Sequence, residues 1–209
     1  MSRLTATGSG AARLRLTRAE GLWLIGALAI LAATAYLAER HVPQGAEVTV
    51  FRLVNDAPGV FFLPAWTVMQ LGSLLAVPVV AAVVAATRRF RLAAGILIGG
   101  LAAYYLANLV KHAVHRGRPD TLLPGVHIRG TPAQGLGYVS GHAAVACLLA
   151  TVLWPYLGPR MRAAVLVLAG VVCVARMYVG AHLPLDVIGG AALGVGVGLA
   201  VRLVLSARS

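Results

Sequence analysis

Charged residues are scarce in this chain, and acidic residues are the scarcest. Only 11% of the 209 residues are charged, and six are Asp or Glu. A soluble domain carries roughly a quarter charged residues, so this composition excludes a disordered chain and an ordinary cytosolic enzyme. Cysteine is almost absent too. Cys147 and Cys173 both lie in apolar runs, which excludes a disulfide framework and a site of paired metal-binding cysteines.

Apolar residues are abundant instead, at 59% of the chain with a mean hydropathy of +0.84. Six apolar windows approach the roughly 20 residues that a helix needs to cross the hydrocarbon core of a membrane. The windows are residues 21–37, 64–86, 92–110, 140–157, 163–179 and 183–205. The sequence therefore predicts an all-α fold, a six-transmembrane-helix bundle of a polytopic membrane protein.

The outer segments between these windows, about residues 38–63 and 111–139, are too short for a second domain. We therefore expect a single transmembrane domain over residues 1–209. Its cytoplasmic N-terminal tail is expected to be short, over residues 1–19.

The formal net charge is +12, carried by seventeen arginines and a single lysine. These residues form short clusters between the apolar windows, a pattern typical of cytoplasmic loops and not of a nucleic-acid-binding face. With the N-terminus inside, eleven arginines fall on the cytoplasmic side: Arg3, Arg13, Arg15, Arg18, Arg88, Arg89, Arg91, Arg160, Arg162, Arg202 and Arg208. We expect a multi-pass protein of a bacterial plasma (inner) membrane, with both termini in the cytoplasm and no nucleic-acid partner.

Glycines recur at every fourth residue in two of the windows. Gly95 and Gly99 do so in the third, and Gly190, Gly194 and Gly198 in the sixth. Small residues at this spacing let helices approach closely, so we interpret them as packing positions. The same ridges suit contacts within one chain or between chains, so the sequence predicts no oligomeric state.

Ionisable residues within apolar windows are costly, at about 2.5–3.5 kcal/mol each on insertion scales, and so indicate a function. In this chain they gather at predicted helix ends. Because the predicted spans alternate in direction, the end of the third, the start of the fourth, the end of the fifth and the start of the sixth meet on the outer side. These ends carry Lys111, His142, Arg176, His182 and Asp186. We expect one functional site there.

Two features favour an anion as the ligand. Lys111 is the only lysine among the basic residues and precedes Arg118 by seven positions. A lone lysine at a helix end is also explained by snorkelling, but the cations around it favour a compact ammonium that binds an anion. Ser140 and Gly141 come just before His142, where Ser140 is the predicted N-cap and Gly141 leaves its backbone N–H open to an anion.

The stretch from Arg176 to Asp186 carries the most information. His182 and Asp186 are four residues apart and share a face if the helix has begun, and Pro184 suits its first turn. A carboxylate that holds one imidazole nitrogen fixes the tautomer and leaves the other nitrogen free to attack.

A metal ion is the alternative ligand, because His142, His182 and Asp186 together make a two-histidine, one-carboxylate set. Three fixed cations converge on the same place, however, and they repel a metal while they attract a phosphate. The sequence therefore favours a phosphate site and predicts neither a metal nor a cofactor.

Three spaced blocks occur in order: Lys-x6-Arg-Pro from Lys111, Ser-Gly-His from Ser140 and Arg-x5-His-x3-Asp from Arg176. Together, over about residues 92–205, they resemble the type 2 phosphatidic acid phosphatase family of integral membrane lipid phosphatases. Two positions depart from the family pattern. Val139 stands where the family usually has proline, and Ala175 where it usually has serine, so we expect an altered rate or substrate with the same reaction.

The resemblance implies a role for each residue of the three blocks. His182 is implied to be the nucleophile that forms a phosphohistidine, and Asp186 to orient it. His142 is implied to protonate the leaving oxygen. The residues implied to bind the phosphoryl oxygens are Lys111, Arg118, Ser140, Gly141 and Arg176. No metal is expected.

The implied substrate is a membrane lipid phosphate or diphosphate, held in the bilayer with its tail between helices. Candidates are an isoprenoid diphosphate, phosphatidic acid, phosphatidylglycerol phosphate and a prenyl-phosphosugar phosphate. Two alternatives stay open. A lipid phosphotransferase would use the same phosphohistidine with a different acceptor, and a non-catalytic lipid-binding protein would keep the pocket without turnover.

Overall fold

The computed structural model describes residues 17–40, 42–43 and 45–206. Most of the predicted cytoplasmic tail over residues 1–19 lies outside the described residues, as do Arg3, Arg13, Arg15, His41 and Arg208. The described ranges contain nine α-helices and no strand, which confirms the all-α prediction. The helices are α1 (Arg18–Ala38), α2 (Gly45–Asn55), α3 (Phe62–Met69), α4 (Ala76–Ala86), α5 (Phe90–Val114), α6 (Pro119–Leu122), α7 (Gly141–Leu153), α8 (Pro159–Tyr178) and α9 (Pro184–Ser206).

Four helices of the described chain are long and apolar enough to cross a membrane: α1, α5, α8 and α9. The second predicted window is divided between α3 and α4, whose segments Gly59–Gly72 and Ala76–Ala86 are bent by 65°. Gly72 is the last residue before this break and Ser73 the first within it, and Pro78 lies in the first turn of α4, where a proline is tolerated. Counting the bent pair as one span gives up to five, so the number six stays a prediction.

The fourth predicted window forms α7 and a following 3-10 turn, Trp154–Tyr156. This apolar segment, Gly141–Tyr156, is shorter than a typical span. It lies inside the bundle, where α9, α8 and α5 pack around it, and most residues of α7 are buried. Protein, and not lipid, therefore surrounds most of α7.

The glycine ridge of α9 packs directly against the backbone of α7. A Cβ atom on Gly194 would stand 2.1 Å from the carbonyl oxygen of Ala144, and one on Gly190 would stand 2.4 Å from that of Ser140. No side chain fits at these distances, so glycine sets the separation of the two helices. The prediction that these glycines are packing positions is confirmed.

The bundle has two distinct ends. At one, Arg202 of α9 forms an ion pair with Glu20 of α1, and Arg91 of α5 donates a hydrogen bond to the carbonyl of Leu205. We call this the arginine end, since it carries Arg18, Arg88, Arg89, Arg91, Arg160, Arg162 and Arg202. The opposite end, where α5 and α8 finish and α7 and α9 begin, is called the site end.

Candidate active site

Backbone hydrogen bonds at the site end join the helix ends that the sequence predicted would meet. The N–H of Ser140, before α7, donates to the carbonyl of Asp186 in α9 at 2.8 Å. The N–H groups of Ala181 and His182 donate to the carbonyl of Arg176 at 3.1 and 3.2 Å. These bonds fix the start of α7, the end of α8 and the start of α9 against one another.

α9 begins at Pro184, so Pro184 lies in its first turn as predicted, whereas His182 precedes the helix and shares no helical face with Asp186. The two side chains nevertheless face each other. Nδ1 of His182 lies 3.6 Å from Oδ2 of Asp186, and both side chains are buried. This distance is longer than a hydrogen bond, and Nδ1 has no hydrogen-bond partner within the described part of the chain. Catalytic hydrogen bonds are often long before substrate binds. The pair therefore has the placement of a ring and its orienting carboxylate.

The predicted cations influence the electrostatics of His182. Burial is the main cause that holds the pKa of His182 well below its ordinary value, and the positive charges of Arg176, Lys111 and Arg118 lower it further. The imidazole of His182 is consequently neutral at neutral pH. A neutral imidazole has a nitrogen lone pair, which a nucleophile needs.

The start of α7 has the predicted form. Ser140 is buried and is the N-cap, since its hydroxyl accepts a hydrogen bond from the N–H of Ala143 at 3.5 Å. A Cβ atom on Gly141 would meet no other atom within 4 Å, so open space lies over this residue. His142 follows, with its carbonyl 2.5 Å from where a Cβ of Gly72 would stand. The segment between α3 and α4 thus packs against the backbone of His142, the second histidine of the predicted site.

Lys111 and Arg118 bind the loop that leads to α7. The ammonium of Lys111 donates to the carbonyls of Leu136 and Gly137 at 3.0 and 3.2 Å. The Arg118 guanidinium donates to three carbonyls at 2.8–3.1 Å, those of Gln134, Gly135 and Ala181. Within the described residues, Nη1 and Nη2 of Arg118 each make a single such bond, so each keeps one N–H group for a ligand.

Arg176 is the least satisfied of the three cations. Its side chain is buried, NH1 contacts the sulfur of Met69 at 3.1 Å, and Nε has no hydrogen-bond partner in the described residues. Within those residues, no carboxylate lies within 4.0 Å of Lys111, Arg118 or Arg176. Burying cations without a counter-ion is costly. An anion bound here would supply the missing charge.

Two charged residues of this end were not predicted from the sequence. Arg116 lies in the outer segment over residues 111–139, and Glu47 lies in α2, within the outer segment over residues 38–63. Arg116 is 1% exposed and donates to both oxygens of Glu47, at 2.9 and 2.6 Å, and to Oδ1 of Asp186 at 3.0 Å. The available signal was weak: Glu47, one of six acidic residues, shares a helical face with Phe51 and Asn55 at intervals of four.

Asn55 is a third missed residue, also on α2. It is fully buried, and its amide nitrogen donates to the carbonyls of His127, Met177 and Tyr178 at 2.9–3.3 Å. Its amide oxygen accepts from the N–H of His127 at 2.9 Å. The buried face of α2 therefore fastens both the outer loop and the end of α8, and α2 is part of the site's framework.

Comparisons with known proteins agree with this geometry. A family model described as the PAP2 superfamily matches residues 91–209. Over 143 residues the chain is 32% identical to the decaprenylphosphoryl-5-phosphoribose phosphatases of two strains of Mycobacterium tuberculosis, a match that covers 68% of this chain and 73% of the relative.

Two solved structures share the fold. LpxE of Aquifex aeolicus superposes with a TM-score of 0.69 at 25% identity, covering 74% of this chain and 93% of that one. The first transmembrane PAP2 type phosphatidylglycerolphosphate phosphatase from Bacillus subtilis superposes with a TM-score of 0.65 at 19% identity, covering 88% of this chain and 94% of that one.

Proposed function

The chain belongs to the PAP2 superfamily and is a lipid phosphatase, and on that premise we propose that it hydrolyses a terminal phosphate of a membrane lipid through a phosphohistidine on His182. One observation carries the proposal. The positive charges of Lys111, Arg118 and Arg176 act on the buried imidazole of His182, and none of the three has a carboxylate within 4.0 Å in the described residues. This arrangement suits a phosphoryl group under attack.

In the first step, Nε2 of His182 attacks phosphorus, because Nδ1 faces Asp186. The new bond is N–P, and the bond that breaks joins phosphorus to the lipid oxygen. Burial and the charges of Arg176 and Arg118 lower the pKa of His142 to about 3, so His142 takes up a proton only when the negatively charged phosphate binds beside it. It then donates that proton to the departing oxygen, and the lipid leaves as an alcohol or a monophosphate. Asp186 stabilises the positive charge that the ring of His182 acquires.

In the second step, water attacks the phosphohistidine and His142, now neutral, accepts the proton. The N–P bond breaks, inorganic phosphate leaves, and both histidines return to their starting states. The three cations, with the hydroxyl of Ser140 and the N–H of Gly141, hold the phosphoryl oxygens through both steps. These roles are the ones implied by the family resemblance. All of the residues involved belong to the single transmembrane domain that we propose for this chain.

The proposed reaction is independent of metal. Both oxygens of Asp186 already accept a hydrogen bond, Oδ1 from Arg116 at 3.0 Å and Oδ2 from the N–H of Leu183 at 2.9 Å. A carboxylate bound in this way, beside three cations, supports phosphate over a divalent ion as the ligand.

We propose that the substrate is a prenyl-phosphosugar phosphate, an isoprenoid diphosphate, phosphatidic acid or phosphatidylglycerol phosphate. The first is favoured by the relative of 32% identity, whose own substrate is a decaprenylphosphoryl-5-phosphoribose. Val139 and Ala175 depart from the family pattern close to the site and are candidates for setting this choice.

The test is phosphate release by the purified protein from these four lipids, with EDTA present and absent. We expect release from at least one lipid, unchanged by EDTA and blocked by vanadate, which imitates a phosphoryl group in transfer. Dephosphorylated lipid formed without free phosphate would identify a phosphotransferase. Rescue by a divalent ion after EDTA would establish a metal centre, and no turnover of any lipid would favour a non-catalytic binding protein.

We propose that the protein lies in the plasma membrane with the arginine end and both termini in the cytoplasm, and with the site end outside. In a variant without Cys147 and Cys173, a cysteine at Gln134 should react with a membrane-impermeant maleimide in intact cells. A cysteine at Arg89, exposed at the opposite end, should react only after lysis. The reverse labelling pattern would place the active site in the cytoplasm.

A further inference from the structure

A buried chain of four ionisable side chains leads from the nucleophile into α2. His182 faces Asp186 across 3.6 Å, Asp186 accepts from Arg116 at 3.0 Å, and Arg116 forms two bonds with Glu47 at 2.9 and 2.6 Å. All four residues are exposed by 6% or less. We call Glu47, Arg116, Asp186 and His182 the charge chain. Glu47 lies outside the three blocks of the family resemblance, and Arg116 occupies an unspecified position of the first block.

The charge chain fixes the rotation of the Asp186 carboxylate. Arg116 occupies Oδ1, and the N–H of Leu183 occupies Oδ2 at 2.9 Å. With one oxygen held on each side, the carboxylate cannot turn without breaking a bond, so Oδ2 stays directed toward His182.

Arg116 is held in turn by Glu47. The two bonds between the guanidinium and the Glu47 carboxylate form the paired geometry that is the strongest available to arginine. Glu47 also accepts the N–H of Leu185 at 3.1 Å, which fastens α2 to the first turn of α9. The position of Arg116 is thus fixed by α2, which is not one of the helices whose ends form the site.

The charges of the chain match the proposed chemistry. With His182 neutral, two carboxylates and one guanidinium leave a net charge of −1 in a buried region. When Nε2 of His182 bonds to phosphorus and Nδ1 keeps its proton, the ring becomes cationic and the chain becomes neutral. Without Arg116, the buried carboxylates of Glu47 and Asp186 would have no counter-charge between them, which is costly.

We propose that Glu47 and Arg116 are positioning residues of the reaction, which orient Asp186 and thereby hold His182 as the tautomer with its proton on Nδ1. The effect on rate rests on the proposed function, whereas the effect on the tautomer does not. Neither residue touches the substrate.

The test is Glu47→Gln, which keeps the size and the acceptor oxygen of the side chain and removes its charge. Its matched control is Glu39→Gln, because Glu39 is exposed after the end of α1 at the same end of the bundle. We expect Glu47→Gln to lower kcat by about tenfold or more, the usual scale for a lost supporting partner or a wrong tautomer. KM should change by less than about twofold, because the cations that bind phosphate are untouched.

A spectroscopic measurement tests the proposal without turnover. In protein labelled with 15N-histidine, the signals of His182 are identified by their loss in a His182→Asn variant. We expect one tautomer, protonated at Nδ1, in the wild type and a mixture in Glu47→Gln. Arg116→Lys should give the same mixture, because a single ammonium cannot bond to Glu47 and Asp186 as the planar fork does.

Unchanged kcat together with an unchanged His182 spectrum in Glu47→Gln would overturn the proposal. A lower melting temperature with normal kcat and a normal spectrum would also overturn it, since the charge chain would then serve only the fold. Should the wild type release no phosphate from any lipid, the proposed function fails, and the tautomer measurement alone decides the role of Glu47 and Arg116.

Discussion

Arginine serves different purposes at the two ends of the bundle. At the arginine end, Arg88, Arg89 and Arg160 are exposed, and their charges are stabilised by water. At the site end, Arg116 and Arg176 are 1% and 8% exposed, so each needs a partner inside the protein. Arg116 has two carboxylates, whereas Arg176 has none within 4.0 Å among the described residues.

This difference shows that burial and pairing, and not residue type, distinguish the exposed charges of the arginine end from the functional charges of the site end. Exposed charges of a cytoplasmic loop act through their number, so exchanging one for another of the same sign changes little. A buried charge acts through its position. Substitutions should therefore have large effects at the site end and negligible effects at the arginine end.

The largest effect is expected from His182→Asn at the site end. Loss of a covalent nucleophile removes the reaction path, so phosphate release should fall by at least about a thousandfold while the protein stays folded in detergent. His112→Asn and His127→Asn, outside the proposed machinery, should remain active, as should a change at His41. More than about a tenth of the activity in His182→Asn would exclude this residue as the nucleophile.

A smaller loss is expected when the charge is kept and its shape is changed. Lys111→Arg should lower kcat/KM by about tenfold, equivalent to about 1.4 kcal/mol, because a planar guanidinium cannot occupy the point that an ammonium fills between the carbonyls of Leu136 and Gly137. Steady-state kinetics on the preferred lipid provides the measurement. If the variant matches the wild type in turnover and apparent affinity, snorkelling is the better account of Lys111.

The next largest effect is expected on how stability changes with pH. The pKa of His182 in the folded protein lies well below its ordinary value near 6.5. Unfolding therefore takes up a proton at pH values between the folded pKa and about 6.5. The free energy of unfolding should then fall by up to about 1.4 kcal/mol per pH unit. Melting curves from pH 8 to 5 should show a steeper loss for the wild type than for His182→Asn. Parallel curves would contradict the buried, neutral state of His182.

No measurable effect is expected from matched exchanges at the arginine end. Arg91→Lys and Arg160→Lys keep an exposed positive charge, so phosphate release, expression and melting temperature should stay at wild-type values. A tenfold loss of activity in either variant, equal to that of Lys111→Arg, would remove the distinction between the two ends.

Local patterns in the sequence predicted much of the site and the general fold. The N-cap Ser140, the place of Pro184 in the first turn of α9 and the packing role of Gly194 were each predicted from a short stretch of sequence, and each is confirmed. The catalytic roles stay predictions. The bond between Glu47 and Arg116 joins residues 69 positions apart, and no local periodicity reports such a contact.

The division of the second window between α3 and α4 was also missed. An apolar window fixes the composition of a segment, whereas the bend after Gly72 depends on the close approach of His142 from α7. Hydropathy does not report that contact. The pairing of Arg116 was missed for the same reason, because its partners come from two distant helices, α2 and α9.

The enclosure of α7 has a consequence for how the protein is made. A ribosome delivers α7 to the insertion machinery before α8 and α9 exist, yet α9 supplies the glycine face against which α7 packs most closely. A segment this short is poorly held by lipid alone, so α7 remains incompletely packed until α9 is synthesised. Assembly of the site end therefore follows the synthesis of α9, and a nascent chain that stops before α9 lacks the helix against which α7 packs.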